Sequence, residues 1–214
     1  VLGWAEGEMA ERGPLNGHRR GMVCVPGRYA MIYDQFPAMP IGADIACHWQ
    51  LAPEADVTVM QDNRARISLG ETAAYFCASD GIASLAVVRG RNNPPGGWVS
   101  RRYGAVEPAS QLIYQLDAGS NKVAFCFGLT ERDEVPPRLQ VRDVGAECIM
   151  VEIQHSDGRD VVVIGSCIGR LATQSCDVDV CSEVLWFRFE EEHCVEIRAL
   201  GLRHLLSDEL GMKI

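Results

Sequence analysis

The sequence predicts an all-β protein: an antiparallel β-sandwich, followed by a second, smaller β unit. Three observations carry this expectation. Short apolar runs of strand length follow one another along the chain, rich in Val, Ile, Tyr and Phe. Turn-forming residues punctuate them: Pro26-Gly27, Gln61-Asp62-Asn63, Ala118-Gly119-Ser120-Asn121 and Asp157-Gly158. Finally, residues 41–51 alternate with a period of two. Ile41, Ala43, Ile45, Cys47, Trp49 and Leu51 fall on one face, and Asp44, His48 and Gln50 on the other.

In chain order, residues 1–20 form an opening strand and loop with two glycine turns. MVCV and RYAMIYD follow as a hairpin, because Pro26 and Gly27 suit the two central positions of a type II turn. Pro37 and Pro40 break the chain before the alternating strand. VTVM and ARISL form the next hairpin, and AAYFCA, SLAVVR, SQLIYQLD and KVAFCFGLT continue the series. Residues 130–137, TERDEVPP, read as a linker, giving a main sandwich over residues 1–131 and a second β-rich segment over 132–214 packed on it. In that segment RLQVRDV, ECIMVEIQ, DVVVIG, VLWFRF and HCVEIRAL are strand-like, and LRHLLSDEL favours a short helix near the end.

With 214 residues, 47% of them hydrophobic and 23% charged, the chain can bury a substantial core and is not disordered. A net charge of -9 argues against nucleic acid as a partner, since phosphate contacts need a basic face. No apolar run approaches the ~20 residues of a membrane-spanning helix. The chain opens on Val and shows no signal peptide, which suggests a processed piece or an excised domain. Its nine cysteines cannot all pair with one another. Cys24, Cys47, Cys77, Cys126, Cys148 and Cys194 sit inside apolar runs and are expected as small buried hydrophobes, whereas Cys167, Cys176 and Cys181 lie in a looser segment.

The stretch NNPPGGWVSRRYGAVEP, residues 92–108, is the most distinctive. Its prolines and glycines force a turn that delivers Trp98, Ser100, Arg101, Arg102 and Tyr103 to one rim. Between Gly81 and Val106 there is no acid, while Arg89, Arg91, Arg101 and Arg102 all fall there. A basic patch carrying aromatics suits an acidic sugar; packing at a sandwich end is the plainer use of Trp98 and Tyr103. Strand alternation from Trp98 would put Ser100 and Arg102 on its side, with Val99, Arg101 and Tyr103 opposite.

The run Gly-Trp-x-Ser-x-x-Tyr-Gly at residues 97–104 resembles the C-terminal β-rich region of the heparinase II/III-like polysaccharide lyases. His18-Arg19-Arg20 ahead of an apolar run ending at Asp34, and His48-Trp49-Gln50-Leu51-Ala52-Pro53, resemble further pieces of that family in the same order. The resemblance covers residues 3 to 130 and implies β-elimination on uronate-containing glycans. It implies a periplasmic or secreted setting, an N-terminal α-helical toroid that supplies the catalytic Asn and Tyr, and an acidic polysaccharide or oligosaccharide as partner. Trp98, Arg101, Arg102 and Tyr103 would then bind substrate. His18 and His48, with Asp34 or Asp44 as oxygen ligand, are the candidates for a structural divalent metal. The family's His-Asn-Thr-like stretch is missing, because no histidine here precedes an Asn, so the isolated chain is expected to be inactive. A carbohydrate-binding module without chemistry, or a structural module, is the alternative. No Gly-x-Ser-x-Gly, P-loop or Gly-x-Gly-x-x-Gly motif offers another chemistry.

Overall fold

A computed structural model describes residues 2–8, 17–36, 44–129, 135–143, 148–172, 177–191, 193–200, 204–207 and 212–213. The first strands are β1 (Gly3–Glu8), β2 (Arg19–Val25), β3 (Tyr29–Gln35), β4 (Ala46–Gln50), β5 (Asp56–Val59), β6 (Ala65–Leu69), β7 (Thr72–Ala78) and β8 (Ile82–Val88). Two small ribbons follow, β9 (Arg91–Asn92) with β10 (Pro95–Gly96) and β11 (Trp98–Arg102) with β12 (Ala105–Pro108). Then come β13 (Gln111–Leu116), β14 (Lys122–Leu129), β15 (Arg138–Asp143), β16 (Ile149–His155), β17 (Gly158–Ala172) and β18 (Asp177–Glu190). The last three are β19 (His193–Leu200), β20 (His204–Ser207) and β21 (Met212–Lys213). Among the described residues there is no helix, and all strand pairs are antiparallel save one isolated parallel bridge between Ser79 and Leu139.

These strands form three principal sheets. A central sheet runs β1-β2-β3-β14-β7-β6-β5, a three-stranded sheet runs β4-β13-β8, and a C-terminal sheet runs β15-β16-β17-β18-β20-β21 with β19 also paired to β18. The central sheet is apolar on both faces. Phe76, Val123 and Phe125 meet Cys47, Leu112, Tyr114 and Leu116 of the three-stranded sheet. From the opposite face, Met31, Tyr33, Cys77 and Cys126 meet Val151, Ile153, Val162 and Trp186 of the C-terminal sheet. A strand covered on both faces has no polar side to show, which is why YAMIY, AYFC and VAFC are continuous apolar runs rather than alternating ones. Phe125 is wholly buried within an aromatic group, its ring centroid 5.0 Å from Trp49 and 5.2 Å from Tyr114. A side chain of this kind contributes roughly 1.5–3 kcal/mol by its burial.

The turns behave as their residues require. Arg28 N donates to Val25 O at 3.0 Å, closing a turn in which Gly27 takes φ 76°. That is the type II geometry, in which the third residue needs a positive φ that glycine adopts without a steric cost. Asp62 and Asn63 both take positive φ, 57° and 53°, in the tight link from β5 to β6. β4 shows the expected alternation: Cys47 is buried, Trp49 partly so, and His48 and Gln50 are exposed. The tail departs from expectation, because His204–Ser207, which lies within LRHLLSDEL, is strand β20. It pairs with residues 179–181 of β18, and ladder hydrogen bonds to that long strand outweigh the local helix preference of the leucines. Cys148 is buried as expected and is disulfide-bonded; Cys47, Cys77 and Cys126 are buried free thiols, whereas Cys24 and Cys194 are only half-buried.

Candidate functional site

The β11–β12 hairpin is anchored through Gly97. A Cβ there would sit 2.5 Å from Val88 O and 2.6 Å from Arg89 Cα, so only glycine allows the two backbone segments to approach. Gly97 O accepts from Gly90 N at 2.8 Å and from Ala109 N at 2.9 Å, tying both ends of the excursion together. The next residue, Trp98, is half-buried, and its Nε1 donates to Arg91 O at 3.0 Å. Its indole is thus a brace between the two ribbons. Beyond it the register slips: Val99 faces Glu107, but Arg102 faces Ala105. One extra residue between these pairs is a β-bulge, which reverses the alternation downstream. Directly paired residues share a face, so Arg102 lies on the side of Val99 and Glu107, not on that of Trp98. The expected Trp98–Arg102 partnership is corrected by the bulge.

The basic stretch is also less free than its sequence suggests. Arg89 donates to Pro53 O at 2.9 Å, and Arg91 to Pro94 O at 3.0 Å. Arg101 is ion-paired to Glu54 and lies 3.4 Å from Glu107. The Arg101 hydrogen bond holds the Glu54 carboxyl below its ordinary value. Arg102, by contrast, is exposed and has no acidic partner among the described residues. Tyr103 at the tip is fully exposed, followed by Gly104 with φ 73°. Of the four residues expected to bind substrate, Arg102 and Tyr103 present free groups to solvent; Trp98 and Arg101 are engaged within the protein.

His18 and His48 are not brought together. His18 lies against Asp34, Nε2 to Oδ1 2.7 Å, and stacks on Phe36 with centroids 4.7 Å apart. His48 is exposed on the face of β4 opposite Cys47 and Trp49, and Asp44 is exposed as well. Asp34 is already bound by Arg20, through Nε at 2.7 Å and a second guanidinium nitrogen at 2.9 Å. Arg20 in turn lies over Trp49, 4.9 Å from the ring centroid. A fixed guanidinium on the would-be ligand oxygen opposes a cation. No group of three or more His, Cys, Asp or Glu able to hold a metal occurs among the described residues. In place of the expected metal pair, Asp34 is hydrogen-bonded with His18 and ion-paired with Arg20.

A second buried cluster escapes sequence reading. Asp160, with no exposure, accepts from Tyr29 Oη at 2.8 Å, Trp186 Nε1 at 3.1 Å and Arg188 at 2.9 Å, and His155 Nε2 lies 3.5 Å away. Burial pushes the Asp160 carboxyl up, but His155, Arg188 and Tyr29 outweigh it and hold the group below its ordinary value. Burial and the nearby Asp160 charge push the Tyr29 phenol well up, so it stays a donor. Both carboxylate oxygens are taken and shielded from solvent, so Asp160 is a structural anion and not a base for a substrate. Alternating strands carry this cluster: Tyr29 begins β3, and Asp160 and Arg188 are paired across β17 and β18. A Tyr and an Asp 131 positions apart give no local signal.

No protein-family model matches the chain, and a search of the curated proteins finds no match. The likeness to the heparinase II/III-like lyases therefore stands on the motifs quoted above alone.

Proposed function

We propose that this chain binds acidic glycans without performing chemistry on them, as the β-sandwich portion of a polysaccharide lyase resembling the heparinase II/III-like enzymes. The observation that carries this reading is the β11–β12 hairpin, where a fully exposed Tyr103 stands beside an exposed Arg102 that has no acidic partner among the described residues. An exposed phenol ring stacks on a sugar face, and a free guanidinium grips a carboxylate or sulfate through two parallel hydrogen bonds. The catalytic Asn and Tyr would come from a helical toroid, so the hairpin forms one wall of the substrate cleft. A periplasmic or secreted setting accords with the disulfide at Cys148, since disulfides persist in oxidising compartments.

The test is binding of a uronate oligosaccharide to wild type, Tyr103→Ala and Arg102→Ala, followed by calorimetry. Stacking and the charged hydrogen bond together supply roughly 2–4 kcal/mol, so each variant should lose about tenfold in affinity or more without a change in unfolding midpoint. Equal binding by all three proteins would rule the hairpin out as the glycan contact.

A further inference from the structure

An apolar cleft of about 320 Å³ lies where the three-stranded sheet stops short of the edge of the central one. Trp49 stands on β4, an outer strand of the smaller sheet, and packs on Phe76 and Phe125. Among the described residues, no β1 or β2 side chain belongs to the core beneath that sheet. The face of β1, β2 and β3 beside Trp49 is therefore left bare. Ala5 pairs with Met22 and Met22 with Ile32, so these three share that face, and Gly7 pairs with Arg20 on it. Together with Trp49 they line the cleft. Met22 is 41% exposed, and a Cβ built on Gly7 meets nothing within 4 Å. Beyond the cleft the apolar surface continues to Phe127, which is 37% exposed beside Phe76.

The side-chain polar groups left over in this cleft are donors. Arg20 commits Nε and one Nη to Asp34, at 2.7 and 2.9 Å. Its other Nη has no hydrogen-bond partner among the described residues, and the side chain is 45% exposed. The guanidinium carbon lies 4.9 Å from the Trp49 ring centroid, and Trp49 Nε1 is buried without a hydrogen-bond partner. The acceptors, by contrast, are engaged. Glu6, the one acid in the wall, receives Arg19 on one carboxylate oxygen and Tyr33 on the other. Asp34 receives His18 and Arg20 on one oxygen and Arg20 again on the other. A ligand here meets two unanswered donors above an apolar floor. Its polar end must accept and not donate, whereas a sugar hydroxyl brings a donor for which no free acceptor remains.

We propose that this cleft binds a monocarboxylate with an unbranched apolar tail, of the medium-chain fatty acid class. The carboxylate is the acceptor-only group that the free donors of Arg20 and Trp49 call for, and a charged acceptor makes the stronger bond with a guanidinium. The tail lies over Ala5, Met22 and Ile32 toward Phe127. Two strand spacings, about 9–10 Å, separate β2 from β14, a distance that a tail of roughly eight carbons spans. This site does not depend on the hairpin reading and would stand if the hairpin bound nothing.

The experiment titrates octanoate, butyrate and 1-octanol separately into the protein while the indole N–H signals of its four tryptophans are followed by NMR. Octanoate should move the Trp49 signal and leave that of Trp98 in place. Each methylene removed from water adds about fourfold in affinity, so butyrate should bind about tenfold or more weakly. Octanol lacks the charge and should also bind about tenfold or more weakly. Gly7→Val places a strand-favouring side chain in open space, so it should weaken octanoate about tenfold or more without lowering the unfolding midpoint. Arg20→Met should erase the preference for octanoate over octanol; if that variant fails to fold, Gly7→Val decides alone. Tyr103→Ala should bind octanoate as wild type does. The proposal is overturned if octanoate leaves the Trp49 signal unmoved, if butyrate or octanol binds as tightly, or if Gly7→Val binds as wild type does. Loss of binding in Tyr103→Ala would also overturn it, by assigning the ligand to the hairpin.

Discussion

Two buried aspartates flank the central sheet, Asp34 on its own strand β3 and Asp160 on β17 of the C-terminal sheet, and each is served by a histidine and an arginine. Asp34 meets His18 and Arg20 on the side of the three-stranded sheet; Asp160 meets His155 and Arg188 on the side of the C-terminal sheet. Both carboxylates have no exposure. They differ in where the positive charge goes. The Arg20 side chain is 45% exposed and leans over Trp49 at the edge of an apolar cleft. Arg188 is 1% exposed, between Asp160 and Asp157. The same three residue types thus make a cluster open to water on one face and a sealed one on the other. A sealed ion pair is weak evidence of net stabilisation, but removing one partner strands the other in a medium that cannot solvate it.

The largest expected effect follows from that asymmetry. Asp160→Asn keeps the shape but leaves Arg188 in the interior with only the peripheral Asp157 carboxylate, and Tyr29 loses a charged acceptor. Breaking a buried pair in this way costs about 3–5 kcal/mol, read as a lower midpoint in urea unfolding. A loss under about 1 kcal/mol would mean that the cluster admits water and is not sealed. Asp34→Asn should cost less, about 1–3 kcal/mol, the value of charged hydrogen bonds lost when the freed cation can still reach solvent. Arg20 can swing outward; Arg188 cannot. If Asp34→Asn proved the more damaging of the two, exposure of the arginine would not be what separates the clusters.

The same contrast shows what a sequence reveals and what it hides. The β2–β3 turn was legible because Pro26-Gly27 has a single good backbone solution, and β4 because its outer face meets water and must alternate. The central sheet was legible as strands but not as a middle layer, since a run such as VAFC does not say what covers it. In the hairpin, alternation gave the wrong partner for Trp98 because one extra residue at Ser100-Arg101 inverts the count, and a bulge leaves no local mark. Arg101 looked free because its acid, Glu54, comes from 47 positions away. The Asp34 cluster is half visible: His18, Arg20 and Asp34 bracket one hairpin in the sequence, but nothing local shows that Arg20 already occupies the carboxylate a metal would need. The Asp160 cluster was hidden, because Tyr29 comes from 131 positions away and Trp186 and Arg188 from 26 and 28, each in an ordinary strand run.

The smallest difference at neutral pH emerges in acid. The Asp160 carboxyl is held below its ordinary value, where burial is outweighed by His155, Arg188 and Tyr29. Asp157 is likewise held down, chiefly by its hydrogen bond to Arg188. A carboxyl whose folded pKa lies below its unfolded value binds fewer protons when folded. Its stabilisation is complete above the unfolded value, about 3.9, and is lost as pH falls through the lower folded value. The Asn variant has no proton to bind at position 160 and lacks that part of the acid loss. Wild type should therefore be more stable than Asp160→Asn at pH 5, and that margin should shrink steadily below about pH 4. Urea midpoints of both proteins at intervals from pH 7 to the lowest pH at which each still folds measure it. A margin that stays constant or widens in acid would show that Asp160 is not held ionised by the buried groups around it.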